Sequence, residues 1–234
     1  MTDASPKKLV IAIDGPAGAG KSTIASRLAR KLGYVNLESG AMYRALALKS
    51  IEQNISADNA DALFALAKNS RIELHPTPEG NVVLLDGRDV SSRIRERDVT
   101  DAASRVSTHP HVREWMVERQ RELGLKGGVI IEGRDIGTVV FPNADVKIFL
   151  DANPLTREQR RVIQHDAIND PDRAERLKAD LRARDLRDST RAVAPLVAAP
   201  DAIHIDSTSL TIEEVICEAE RIIAEHFRHS VAKQ

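Results

Sequence analysis

The chain has 234 residues, 42% hydrophobic and 29% charged, a composition that excludes collagen-like, low-complexity and disordered classes. Its 34 Lys and Arg against 35 Asp and Glu leave a net charge of −1, so no bulk attraction to nucleic acid or an anionic membrane is expected. One cysteine, Cys217, allows no internal disulfide and suits a reducing, cytoplasmic setting, and no apolar run suggests a leader or a membrane span.

Leu9 to Ile13 is a continuous apolar run ended by Asp14-Gly15-Pro16, the pattern of a strand buried on both faces. A helix follows over Lys21 to Leu32, with Ile24, Leu28 and Leu32 at helical spacing, and the unit repeats in Tyr34 to Leu37 and the helical pattern after Ser39. Residues 55–105 break this rhythm, with a helix expected near Ala60 to Ala67 and a hairpin of Arg71 to His75 with Val82 to Asp86 around a loop at Pro76 to Asn81. A helix is predicted after Pro110, then strands at Val129 to Ile131 and Val146 to Leu150. The arginine-rich stretch Pro154 to Arg191 reads as two helices broken at Asp170-Pro171. A strand at Ala202 to Asp206 and a helix with a Thr211–Glu214 capping box close the chain, with Cys217 beside the helix's apolar stripe as packing. Alternating strands and helices specify an α/β, doubly wound parallel sheet.

Gly15-Pro16-Ala17-Gly18-Ala19-Gly20-Lys21-Ser22, followed by Thr23, satisfies the P-loop pattern G-x-x-x-x-G-K-[ST] between a buried strand and a helix. Its backbone amides and the helix start cradle phosphates, Lys21 reaches the β- and γ-phosphates, and the Ser22 hydroxyl can ligate Mg²⁺. The chain is therefore read as binding a nucleoside triphosphate. Neither the guanine-reading Asn-Lys-x-Asp nor the transporter signature Leu-Ser-Gly-Gly-Gln occurs, which disfavours GTPases and transporter ATPases. Ser39 can cap the second helix and bond an anion there, and Arg44 offers a fork for phosphate. Glu132-Gly133-Arg134-Asp135 follows a strand and emerges at the same sheet edge, where an acid can organise Mg²⁺ and Arg134 can neutralise phosphate. His109-x-His111 and His226-x-x-His229 have no third ligand and read as surface histidines.

Ile13-Asp14-Gly15-Pro16 with the P-loop, Ser39 to Arg44 with Met42 and Tyr43 inside it, Gly133 to Pro142, and Arg184-Asp185 through Arg191 to Leu196 make the chain resemble the bacterial cytidylate kinases, a nucleoside monophosphate kinase family, over nearly its whole length. The resemblance implies transfer of the γ-phosphoryl group of ATP to CMP or dCMP with Mg²⁺, by direct in-line transfer, in a cytoplasmic monomer without nucleic-acid or membrane partners. It implies that Ser39, Arg44, Arg134 and Arg191 bind the acceptor phosphate, that Ser104, Arg113 and Asp135 read the cytosine, and that Arg184 and Asp188 hold the ribose. It also implies a core of residues 1–54, 106–153 and 172–234, a monophosphate-binding insertion at 55–105 and a short lid at 154–171. In the lid, Arg157 and Arg161 are read as catalytic with Lys21 and Arg134, and Arg173, Arg176 and Arg182 as a solvated face. The chain departs from the family at Glu38, where Asp is common, and at Ser189 and Thr190. A P-loop kinase for a different small acceptor is the alternative reading.

Overall fold

The computed structural model describes residues 8–77 and 80–231. Five parallel strands, β1 (Val10–Asp14), β2 (Val35–Glu38), β6 (Val129–Gly133), β7 (Val146–Asp151) and β8 (Ile203–Asp206), form one sheet in the order β2-β6-β1-β7-β8. Strands β3 (Ile72–Thr77), β4 (Gly80–Leu85) and β5 (Arg88–Asp89) form a separate antiparallel sheet. The helices are α1 (Lys21–Leu32), α2 (Ser39–Glu52), α3 (Ala60–Lys68), α4 (Arg97–Val106), α5 (Pro110–Gly124), α6 (Pro154–Gln164), α7 (Pro171–Thr190) and α8 (Ile212–Val231).

Strand β1 explains why its sequence is apolar throughout. Ile11 and Ile13 join a cluster with Leu28 of α1 and Ile216 of α8 on one face, while Ala12 joins Leu46, Val112 and Met116 from α2 and α5 on the other. Each fully buried Ile or Leu contributes about 1.5–3 kcal/mol through area removed from water. Helices α6 and α7 share only a small cluster of Val162, Ala167 and Leu177, so this pair is held by far less apolar contact than the central sheet.

Several expectations are corrected. Strand β6 runs through Glu132 and Gly133, so these two are strand residues and do not follow it. The pairing of β3 with β4 extends into the expected loop, with Pro76 opposite Asn81 and Thr77 opposite Gly80; Pro78 and Glu79 lie outside the described residues. Pro76 is tolerated because β3 is an edge strand that pairs on one side only. Helix α4 was not expected, although Val99, Ala102, Ala103 and Val106 bury one face at helical spacing. Ser39 is the first residue of α2 and not its cap; Glu38 occupies the cap position without a side-chain cap bond. Cys217 is exposed, pointing away from the stripe of α8. The α6–α7 break falls as read, with Asp170 capping α7 by accepting from the Arg173 amide at 2.9 Å.

Candidate active site

The carboxyl ends of β1, β6 and β2 open into a cleft of about 1310 Å³, lined by the P-loop, the start of α2, α4, the turn after β6, and α6 and α7. In-register parallel pairing sets Asp14 beside Gly133 and Ile13 beside Glu132, so the residues after β1 and β6 emerge together. Gly15 has φ of 145°, and a Cβ there would collide with the Leu150 carbonyl, which is why the loop must leave β1 through glycine.

Lys21 is buried and its Nζ donates to the Pro16 carbonyl at 2.7 Å. Burial first, then the neighbouring Arg134, pushes its pKa down to about 7. The Ser22 hydroxyl donates to Glu132 Oε1 at 2.8 Å, and Ser39 Oγ donates to the Glu132 carbonyl at 2.7 Å. Hydroxyl and carboxylate oxygens suit a hard divalent cation, and the described residues hold no cluster of three or more His, Cys, Asp or Glu that could cage one. That donor set fits Mg²⁺ carried mainly by a nucleotide's phosphates.

Opposite the P-loop, Arg44 pairs with the buried Glu38, whose other oxygen lies 3.5 Å from Arg95. Burial opposes ionisation of Glu38, yet Arg44 and Arg95 hold it below the usual carboxylate range. Arg134 Nε donates to Asp188 Oδ2 at 2.7 Å. Arg184 has a pKa lowered to about 10, by burial and then by Arg134, with Arg44 and Arg161 adding further positive field. Three guanidinium nitrogens at the cleft, Arg44 Nε, Arg184 Nε and Arg191 Nη2, are buried without a hydrogen-bond partner among the described residues. A buried donor without a partner is costly unless an acceptor meets it, and Arg44 and Arg191 already face the carboxylates of Glu38 and Asp135, so among the described residues Arg184 is the arginine of the three with no ion pair.

A second group lies deeper. Arg113 pairs with Asp135 and also donates to the Ser107 carbonyl at 2.9 Å, while Arg191 Nη2 lies 3.6 Å from Asp135 Oδ1. The Arg113 guanidinium sits over the Tyr43 ring at 5.7 Å. Ser104 Oγ accepts from Arg187 Nε at 2.9 Å, tying α4 to α7.

The profile of the family described as Cytidylate kinase matches residues 11–225. The chain belongs to the cytidylate kinase family. Among its relatives, a cytidylate kinase of Geobacillus sp. strain WCH70 is 50% identical over 215 residues, covering 92% of this chain and 96% of the relative. One from Solibacter usitatus is 49% identical over 217 residues, with 92% of each chain covered, and one from Geobacillus kaustophilus is 48% identical over 219 residues, covering 94% and 98%.

Of the residues expected from the cytidylate kinase resemblance, the cleft lining brings together Ala17 to Thr23, Ser39, Arg44, Ser104, Arg113, Arg134, Asp135, Arg161, Arg184, Asp188 and Arg191. Arg157 lies behind the P-loop: 7% exposed, it donates to the carbonyls of Ala17 at 3.1 Å and Ala152 at 3.0 Å and pairs with Asp185. Arg160 is anchored on Ser207, donating to its carbonyl at 2.6 Å. Asp188, read as a ribose holder, is bonded to Arg134, and Arg184 lies in the field of Arg134, Arg44 and Arg161. Arg173 and Arg176, read as solvated, are exposed and also line the cleft, and Arg182, exposed too, pairs with Glu158 away from it. His109 bonds the Ala57 carbonyl at 2.8 Å and His111 pairs with Glu114, while the His229 side chain lies outside the described residues. Sequence reading missed Asp14, Tyr43, Arg95 and Arg187 as members of this network. Only Asp14 and Tyr43 stand inside motifs that could have signalled them.

Proposed function

We propose that this protein transfers the terminal phosphoryl group of ATP to CMP and dCMP, giving ADP and the corresponding diphosphates. The observation that carries the reading is one cleft holding the P-loop together with Arg44, Arg184 and Arg191, each with a buried guanidinium nitrogen that has no hydrogen-bond partner among the described residues. The alternative, a different small acceptor, is not favoured by relatives that share the name cytidylate kinase at 48–50% identity.

The P-loop amides and Lys21 hold the donor triphosphate, and Arg44, Arg134 and Arg191 with Ser39 hold the acceptor phosphate, with Arg184 beside them in the cleft. An oxygen of the acceptor phosphate attacks the γ-phosphorus in line, the bond to the β-phosphate oxygen breaks, and ADP leaves with that electron pair. Little covalent help is needed, so the protein's work is alignment and positive charge around the moving group. Ser22, with Glu132 beside it, would hold Mg²⁺, which would supply charge neutralisation to the donor phosphates. Arg161 lines the cleft from α6 and adds positive charge there, and Arg157 acts through the P-loop carbonyl it holds. Asp135 and Ser104 accept from the exocyclic amine of cytosine, and Arg113 donates to its acceptor edge. Uracil presents the opposite pattern and is the poorer substrate.

The proposal includes residues 55–105 as the acceptor-binding insertion and 154–171 as a lid, supported by the separate β3-β4-β5 sheet and the sparse apolar packing of α6 on α7. It also includes a cytoplasmic monomer. Among the described residues no helix is long and apolar enough to cross a membrane. A coupled assay with ATP across CMP, dCMP, UMP, AMP and GMP tests the reading. Fastest turnover is expected with CMP or dCMP, and a preference for AMP or GMP overturns it.

A further inference from the structure

Asp14 is the last residue of β1 and the residue before Gly15, yet it makes no contact that the phosphate-binding motif requires. It is 4% exposed, and its two oxygens each accept one amide across the sheet: Oδ1 from Ile136 at 2.8 Å and Oδ2 from Gly137 at 2.7 Å. Those amides open the short turn Ile136–Val140, whose internal bonds begin only with the Val139 and Val140 amides on the Asp135 carbonyl. Both would otherwise be orphan donors in a buried place, so Asp14 caps this turn from a different element, 122 residues away in the chain.

What the cap fixes is specific. The two residues immediately before the clamped amides are Arg134 and Asp135, and both side chains enter the cleft. The space offers little slack: a Cβ on Gly137 would lie 3.4 Å from Asp14 Oδ2 and 3.1 Å from Lys147 Cδ, so the turn sits directly against the carboxylate and β7. Burial raises the Asp14 pKa to about 6 against the pull of the Gly137 and Ile136 amides, with Asp135 adding to the rise and Lys21 opposing it. A buried acid held at that cost between the two anion sites calls for a role beyond packing.

We propose that Asp14 is a positioning residue for the acceptor nucleotide: by clamping the Ile136 and Gly137 amides it fixes the backbone that aims Arg134 and Asp135. Because it is bonded covalently to Gly15, it also sets the acceptor arm in register with the P-loop. The inference rests on the reading above that Arg134 and Asp135 hold CMP.

Asp14→Asn is the test, since it keeps the shape but turns an NH₂ toward one of the two amides. Calorimetry should show the CMP dissociation constant raised by about tenfold or more with ATP affinity within about twofold of wild type, and kcat should fall, as a small misplacement of an aligned group would cause. Unchanged CMP affinity, or equal weakening of both nucleotides, overturns the clamp as a positioning device. If the variant does not fold, wild-type amide hydrogen exchange replaces it. CMP alone should slow Ile136 and Gly137 by about tenfold while ATP alone does not, and equal or no slowing overturns the proposal. Asp135→Ala measured beside it separates the two readings. If that change leaves CMP affinity intact while Asp14→Asn weakens it, the assignment of Asp135 fails and the clamp stands; the reverse result fails the clamp.

Discussion

Arg134 points where Asp188 holds it: Nε donates to Asp188 Oδ2 at 2.7 Å, so an arginine just past β6 takes its direction from α7. Burial opposes the charge on Asp188, and Arg134 with Arg184 holds its carboxyl below the usual range all the same. Asp188→Ala leaves Arg134 beside Lys21 and Arg184 without its counter-charge, a change expected to cost about 3 kcal/mol of stability and to lower kcat/KM for the acceptor by about a hundredfold. If holding Arg134 is the role, CMP and dCMP lose rate alike. A loss confined to CMP in the same steady-state assay would assign Asp188 to the ribose 2′-hydroxyl instead.

Lys21 gives a pH prediction with a definite sign. Its folded pKa of about 7 lies below the 10.5 of an ordinary lysine. Below pH 7 both folded and unfolded chains carry the ammonium, so the cost of burying it is fully present; between 7 and 10.5 the folded chain gives up a proton the unfolded chain keeps, and stability rises with pH. A bound triphosphate restores the ammonium. ATP binding at about pH 7.5 is therefore expected to take up roughly half a proton or more through Lys21, seen as the difference between wild type and Lys21→Ala in calorimetry across buffers of differing ionisation enthalpy. No difference, or release, refutes it. The same variant should melt no lower than wild type yet lose about a thousandfold in kcat, because its charge serves the transferring group and not the core.

What the sequence made legible follows from where partners lie along the chain. The P-loop is a contiguous motif between a buried strand and a helix, and each residue's local conformation carries its chemistry, so Lys21 and Ser22 could be read directly. Arg157 could not: helical periodicity places it on α6, but only the fold turns it onto the Ala17 carbonyl behind the loop. The two-sided sheet was legible from the apolar run in β1, and α4 was legible too, since Val99, Ala102, Ala103 and Val106 recur at helical spacing with the exposed Asp101 off that face, but it lay unread inside the stretch assigned to an insertion. Ser39 has the residue type of a cap, yet its hydroxyl is drawn to the Glu132 carbonyl across the sheet at 2.7 Å. Asp14 stood inside a recognised block, but its amide partners lie 122 and 123 residues away, a distance no local pattern reports.

Asp135 carries the last prediction. It pairs with Arg113 and lies 3.6 Å from Arg191 Nη2, so one carboxylate balances two buried guanidiniums. Burial first, then Arg113, already pushes Arg191 below its ordinary pKa, and removing the acid sharpens that repulsion. Asp135→Ala should lower kcat/KM for CMP by about a hundredfold while leaving the KM for ATP within about twofold, since ATP binds at the P-loop. Asp135→Asn is the finer probe. Its amide can donate as well as accept, so the preference for CMP over UMP should narrow, because uracil offers a carbonyl where cytosine offers an amine. Competition assays with both nucleotides measure that ratio, and an unchanged ratio with a general loss of rate would move the base-reading role from Asp135 to Ser104 and Arg113.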